Sequence, residues 1–390
     1  MNYILFDGEY RVNLLPLTYT KPVADLRIGI LTIREKWEKY LQSTTTTITE
    51  DYLSEKFPMV ELEENVMIKG SVLPNENLVE AVKNLKENQA LYKENELLAF
   101  FCKEGQEVDL EAFTAIEYSD NLIQIKNSWD LFSFNGEALE ADFDLITKDR
   151  ISAPIPDSVH CMNPERIFLE EGVDIEIGVL NARKGAIYIG KNAEVQEGAM
   201  IRGPFAMGEH SVVKMGAKVF GPTTLGPKSK IGGEVNNTIM SGYCSKGHDG
   251  YLGNSVIGEW CNLGADTNNS NLKNNYANVK VWEYGKERFV DTGLQFCGLI
   301  MGDHSKCGIN TMFNTGTVIG ISANIYGSNF PRNFIPSFSW GGAAGFTTYS
   351  KAKAFETADL VMKRKNEDFS DLDKDIMAHV FEITSKYRAK

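Results

Sequence analysis

Between Lys246 and Ala265 the chain reads Lys-Gly-His-Asp-Gly-Tyr-Leu-Gly-Asn-Ser-Val-Ile-Gly-Glu-Trp-Cys-Asn-Leu-Gly-Ala. His248 lies between glycines in this polar stretch, a setting that suits an exposed, reactive side chain. Imidazole changes charge near neutral pH, so it can accept a proton from an attacking group and return it. His160, His210, His304 and His379 lack such surroundings. The six cysteines (102, 161, 244, 261, 297 and 307) contain no Cys-x-x-Cys pair. They read as buried, small apolar residues in a reducing compartment, not as disulfides or zinc ligands.

The elements that must hold His248 show in a period of six. Stepping from Ile189 gives Val195, Ile201, Met207, Val213, Val219, Leu225 and Ile231, all aliphatic or Met. Gly follows directly at 190, 208, 226 and 232. The step returns at Ile257, Leu263, Met301, Cys307, Phe313, Ile319 and Ile325. Helices and strands have periods of 3.6 and 2, so neither explains this pattern. A chain that turns a corner every six residues does, with each apolar side chain pointing inward and successive coils burying one another. The rhythm fails at 234–253, around His248, and at 266–295, an Asn-rich excursion with a predicted hairpin over Lys280–Val290. Loops that leave a rigid scaffold are where chemistry is expected.

Ahead of the repeat, apolar runs predict strands at 3–6, 44–48, 65–68, 97–101 and 122–125. Helices are predicted on the stripe Leu26, Ile30, Ile33 and Trp37, at Glu76–Leu91, and at Ser128–Leu139 leading out of a small α/β domain. Proline-rich 151–166 reads as the connection. Two helices are expected after the repeat, about 350–366 and 371–388, the second opened by Ser370 and Asp371. The domain reading is therefore 1–150, 151–345 and 346–390.

The repeat resembles that of the hexapeptide-repeat acyltransferases, which implies a left-handed parallel β-helix and a homotrimer with acyl-CoA along a groove between prisms. Within that class the segment around His248 is similar to the acetyltransferase half of the bifunctional enzymes that make UDP-N-acetylglucosamine from glucosamine 1-phosphate. Their pattern His-x-x-Tyr-x-Gly-Asp-x-x-Ile-Gly-x-x-x-Asn-x-Gly-Ala-Gly-Thr is met by His248, Tyr251, Gly253, Ile257-Gly258, Asn262 and Gly264-Ala265. Asn254 replaces the Asp and Asp266 the last Gly. The resemblance implies His248 as general base in acetyl transfer to a sugar amine. It also implies Tyr251, Asn262 and Asn271 as ligands of the sugar and its phosphate, and Lys280 as a phosphate cation. On later coils, Asn310, Thr311 and Thr315 lie where the family's CoA runs.

Near the N-terminus, Leu15-Pro16-Leu17-Thr18 with Lys21-Pro22 resembles the signature of sugar-1-phosphate nucleotidyltransferases. That family's glycine-rich phosphate loop is replaced by Asp7-Gly8-Glu9-Tyr10-Arg11, in a domain shorter than usual. Arg11 and Lys21 are the implied nucleotide-binding residues. An active domain would take UTP with Mg2+, and no metal ligand is assigned. Two alternatives stand beside acetyl transfer: a nucleotidyltransferase whose β-helix serves oligomerisation or regulation, and a non-catalytic sugar-phosphate-binding protein.

The net charge of −13 argues against a nucleic-acid partner, which would be bound by Lys and Arg on phosphates. No apolar run approaches the roughly 18 residues of a membrane span, and Met1–Gly8 has no charged leader region, so the expected location is cytoplasmic.

Overall fold

A computed structural model describes residues 1–388 and divides the chain into two compact units. The first unit (Met1–Leu14, Thr20–Leu26 and Leu31–Asn127) is a mixed α/β domain. Its strands are β1 (Asn2–Phe6), β2 (Thr45–Ile48), β3 (Glu64–Lys69), β4 (Gln89–Lys93), β5 (Glu96–Lys103) and β6 (Thr114–Glu117). They form one sheet in the order β2-β1-β3-β5-β4-β6. β1 is parallel to both β2 and β3, so the ends of these three strands point the same way.

Three expectations are corrected here. Leu26 and Ile30 are not helical: α1 runs Ile33–Leu41, started by a capping box in which Thr32 and Glu35 satisfy each other's backbone N–H groups. The helix expected over Glu76–Leu91 stops at Lys83 (α3, after the short α2 at Asp51–Ser54). The chain then enters β4, paired with β5 through a turn in which Glu94 and Asn95 both have positive φ. That turn is conformationally of the hairpin type but lacks the glycine that would have announced it. Residues 122–125 contribute only an isolated bridge between Val72 and Gln124; the edge strand is β6.

The second unit (Leu15–Tyr19, Arg27–Ile30 and Ser128–Lys390) is built on a parallel β-solenoid. The hexads stack in register on three faces. On face A, Ile189 pairs with Met207, Met207 with Leu225, and the column continues through Met240, Ile257, Met301, Ile319 and Ile335. Face B carries Ile175, Val195, Val213, Ile231, Lys246, Leu263, Cys307 and Ile325. Face C carries Leu180, Ile201, Val219, Val235 and Leu252, then Asn269 paired with Phe313. Nearly all of these side chains join one continuous core.

Every coil turns the corner from face A to face B through a left-handed residue. The column is Asn192, His210, Lys228, Tyr243, Trp260, His304, Ser322 and Phe338, each with φ between 52° and 62°. Each N–H reaches a carbonyl one coil below, as in His210 to Lys191 (3.0 Å) and Tyr243 to Pro227 (2.8 Å). This regular bonding holds a conformation that is uncommon for non-glycine residues.

The excursion leaves the stack after Asn269 and contains the expected hairpin, Lys280–Glu283 with Arg288–Asp291 and Trp282 opposite Phe289. The two C-terminal helices are α5 (Lys351–Lys363) and α6 (Asp371–Ile383), while α4 (Asp130–Thr147) precedes the solenoid. Ser370 caps α6 as expected. Among the described residues no helix is long and apolar enough to cross a membrane.

Inward and outward positions of one coil predict opposite mutational costs. Phe205 is fully buried, so Phe205→Ala should lower stability by about 3–5 kcal/mol in urea denaturation. Phe220, 36% exposed on the outside, should cost under about 1 kcal/mol as Phe220→Ala.

Candidate functional site

His248 is exposed on the corner Gly247-His248-Asp249-Gly250, which joins face B to face C. Gly250 has φ of 114°, and a Cβ there would lie 2.2 Å from the Thr267 carbonyl oxygen, so this corner requires glycine. Beneath it Lys246 occupies an inward position, stacked on Ile231. Its side chain is 1% exposed, and Nζ donates to the carbonyls of Gly232 (2.8 Å) and His248 (2.7 Å). Burial drives the ammonium pKa down to about 8, against the opposing pull of Asp249 and Asp266. An aliphatic residue would fill this column without that cost. What Lys246 supplies is a pinned backbone at His248.

Tyr251 and Asn271 are brought together. Asn271 Nδ2 donates to Tyr251 Oη (2.8 Å) and to Oδ1 of Asn254 (2.7 Å). Asn268 and Asn269 accept from the N–H groups of Tyr251 (2.7 Å) and Gly253 (2.8 Å), so side-chain amides replace the strand ladder where the excursion departs. Burial raises the Tyr251 phenol pKa, keeping it a neutral donor. Lys280 is exposed at the base of the hairpin.

Asn310 is exposed on the same corner as His248, farther along the stack: Asp266 N–H bonds to Asp249 (2.9 Å), and Asn310 N–H to Ala265 (2.8 Å). Thr311 is buried beside it, its hydroxyl on the Gly308 carbonyl at 2.8 Å. Thr315 is also buried, beyond the Met312–Phe313 strand and thus on the next corner, where its carbonyl accepts from Asn333 (2.9 Å).

Asn262 lies elsewhere. It is exposed on face B, in register with Ser245 and Lys306, and lines a cavity of about 790 Å3 shared with α5 and the residues just after it. The cations of that cavity were missed by the sequence reading. Lys230 and Lys306 occupy the same outward column of face B, so a tally of outward charge per coil would have flagged them.

In the first unit, Asp7 and Lys69 sit at the ends of β1 and β3, where open α/β sheets bind ligands. Asp7 accepts from Val23 N–H (2.7 Å) and Thr49 Oγ1 (2.5 Å). Burial raises its pKa, and Arg11 at 3.5 Å pulls it back. Arg11 also pairs with Glu50 (3.3 Å) and donates to Tyr52 (3.0 Å) and the Lys21 carbonyl (3.5 Å). Lys21 is buried. Lys69, a further cation unforeseen from the sequence, is 2% exposed and pairs with Glu9 at 2.8 Å. Arg11 and Lys69 are thus already matched with carboxylates. Among the described residues no group of three or more His, Cys, Asp or Glu converges as metal ligands.

Residues 3–151 match the family model described as sugar nucleotidyl transferase. The chain is 35% identical over 145 residues to the bifunctional sugar-1-phosphate nucleotidylyltransferase/acetyltransferase of Sulfurisphaera tokodaii, covering 37% of this chain and 36% of that one. It is 37% identical over 87 residues to the bifunctional protein GlmU of Methanocaldococcus jannaschii, covering 22% and 21%. The matched segments thus span about a third or less of these relatives. A solved Arabidopsis UDP-N-acetylglucosamine acyltransferase aligns over 59% of this chain and 90% of its own, at 15% identity and a TM-score of 0.24, too low to carry an argument. The chain joins a domain that matches the sugar nucleotidyl transferase model to a β-solenoid, and it is distantly similar to bifunctional nucleotidylyltransferase/acetyltransferases.

The buried Lys246 gives a pH signature. Its pKa is about 8 when folded and 10.5 ordinarily, so between those values the unfolded chain binds more protons and stability contributed by this site rises with pH. Urea denaturation of the wild type and Lys246→Met at pH 7.5 and 10 should show the wild type gaining on the variant at the higher pH.

Proposed function

We propose that the solenoid transfers an acetyl group from acetyl-CoA to the amine of an amino-sugar phosphate of the glucosamine 1-phosphate type, with His248 as general base. The observation that carries this reading is an exposed imidazole on a glycine-flanked corner whose backbone is pinned by a buried lysine. The amine attacks the thioester carbonyl and His248 Nδ1 or Nε2 takes its proton. The proton then serves the departing CoA thiolate, so the imidazole ends neutral. Tyr251 and Asn271, already bonded, would hold the sugar hydroxyls, and Lys280 would face the phosphate. Asn310 extends the His248 corner in the direction a CoA chain would run, with buried Thr311 beside it and Thr315 on the next corner.

Asn262 and Tyr251 stand on different faces of one prism. A homotrimer that sets face B of one chain against face C of the next would unite them, and we include that assembly in the proposal. The similarity of residues 3–151 to sugar nucleotidyl transferases favours a second activity, uridylyl transfer from UTP, in which Asp7 would help to hold a Mg2+ ion that would neutralise charge on the nucleotide phosphates. Arg11, Lys21 and Lys69 would hold those phosphates once Glu9 and Glu50 release them. The site suits small phosphorylated substrates in the cytoplasm.

His248→Ala should lower free-thiol release from acetyl-CoA and glucosamine 1-phosphate about 10²–10⁴-fold. Undiminished turnover would remove His248 from the mechanism. Pyrophosphate release from UTP and N-acetylglucosamine 1-phosphate, if present, should vanish in Lys21→Ala; none in the wild type would mark the first unit as inactive.

A further inference from the structure

The cavity on the outside of face B is lined in part by Asn262, which the proposed assembly would bring to a neighbour's Tyr251, but its cations have no part in the chemistry assigned to His248. Its wall is the column of left-handed corners with the outward residues beside it, and its roof is the end of α5 with Arg364, Lys365 and Asn366. Five cationic side chains line it (Lys228, Lys230, Lys306, Arg364 and Lys365) in a chain of net charge −13. Among the described residues one carboxylate pairs with them directly, Glu367, whose Oε1 accepts from Lys228 Nζ at 2.5 Å and from Tyr243 Oη at 3.3 Å, while Glu259 and Glu209 act on Tyr243 from farther off.

Among the described residues, the remaining cations are not matched by acids. Lys306 Nζ donates to the His304 carbonyl at 2.9 Å, and Lys365 Nζ to the Lys228 carbonyl. Lys230 and Arg364 are exposed. Behind the wall, burial pushes the Cys261 thiol well up, so it stays neutral and offers no countercharge. Burial holds the Lys306 ammonium below its usual pKa. Burial and then repulsion from Lys230 do the same for Lys365. Like charges crowded in a partly desolvated space repel strongly, and an anion placed among them reverses the sign of that interaction.

The ligand's chemistry is set by charge and size. A phosphate group carries about −1.5 to −2 at neutral pH, so balancing this surplus takes more than one. The volume of about 790 Å3 suits a small molecule of nucleotide size. The aromatic side chains are already stacked, Tyr243 on Trp260 at 4.0 Å and Trp260 on His304 at 6.1 Å, with Lys228 over Tyr243 at 5.5 Å. They therefore offer a rigid wall, not a free face for a base, and recognition falls on the phosphates. We propose that this cavity binds a diphosphate-bearing small molecule, at a site distinct from the His248 corner.

The test is calorimetric titration of the full chain with inorganic pyrophosphate and with UDP, in the wild type, in Lys230→Glu/Arg364→Glu and in His248→Ala. Both altered cations are exposed, so the fold should survive their change. The wild type should bind both probes, with affinity falling as salt is raised. The double variant should lose one binding equivalent per chain, or at least about tenfold in affinity at that site, while His248→Ala keeps it. Unchanged binding in the double variant, or no binding of either probe at millimolar concentration, would overturn the proposal. A second readout is independent of any variant. Pyrophosphate should protect Lys230 and Lys365 of the wild type from an amine-reactive label, read by mass spectrometry, and equal labelling with and without it would count as failure. Because His248→Ala retains the site, loss of acetyl transfer and loss of this binding are separable.

Discussion

In-register stacking is the constraint on which the solenoid depends. An inward side chain on one coil rests on its counterpart on the next, as Ile189 rests on Met207 and Met207 on Leu225. No coil can shift by one residue without turning its core outward, so any extra length must leave at a corner. The excursion after Asn269 does so, and Asn268 and Asn269 close the gap by lending their amides to the broken ladder. The same constraint fixes the left-handed corners from Asn192 to Phe338.

Two inward positions break the apolar rule, and both adjoin candidate chemistry. Lys246 stands among aliphatic residues and spends its ammonium on the carbonyls of Gly232 and His248. Asn269 stands opposite Phe313 and bonds both backbone groups of Gly253. Buried polar groups are tolerated when their bonds are made, and then they fix geometry more firmly than packing alone. The first unit shows the opposite arrangement. The strand ends that could receive a phosphate already hold Asp7 with Arg11 and Glu9 with Lys69. Glu50 also holds Arg11, so a phosphate would have to displace Glu50 and Glu9 before it gained the two cations.

Much of the solenoid was legible because its signal is periodic and local. The step of six found the inward column, and the glycines beside His248 announced an exposed corner. The extents in the first unit were harder, because turns decided them: Thr32 starts α1 later than the apolar stripe suggests, and Glu94-Asn95 makes a hairpin without glycine. The pairing of Tyr251 with Asn271 was foreshadowed by the family resemblance. The placement of Asn262 on another face was not, since spacing along the chain does not say which face a residue occupies once coil lengths vary. The cavity was illegible for a related reason. Lys230, Lys306 and Arg364 are far apart in sequence and meet only through the stack and α5.

The central claim is that the corner bearing His248 is the acyl-transfer site, with Asn310 farther along it. The most direct measurement is a crystal structure of the full chain grown with acetyl-CoA. The account predicts the thioester carbonyl beside the His248 imidazole and the pantetheine chain running along that corner toward Asn310. CoA bound on face A or on the hairpin, with the His248 corner empty at millimolar ligand, would contradict it.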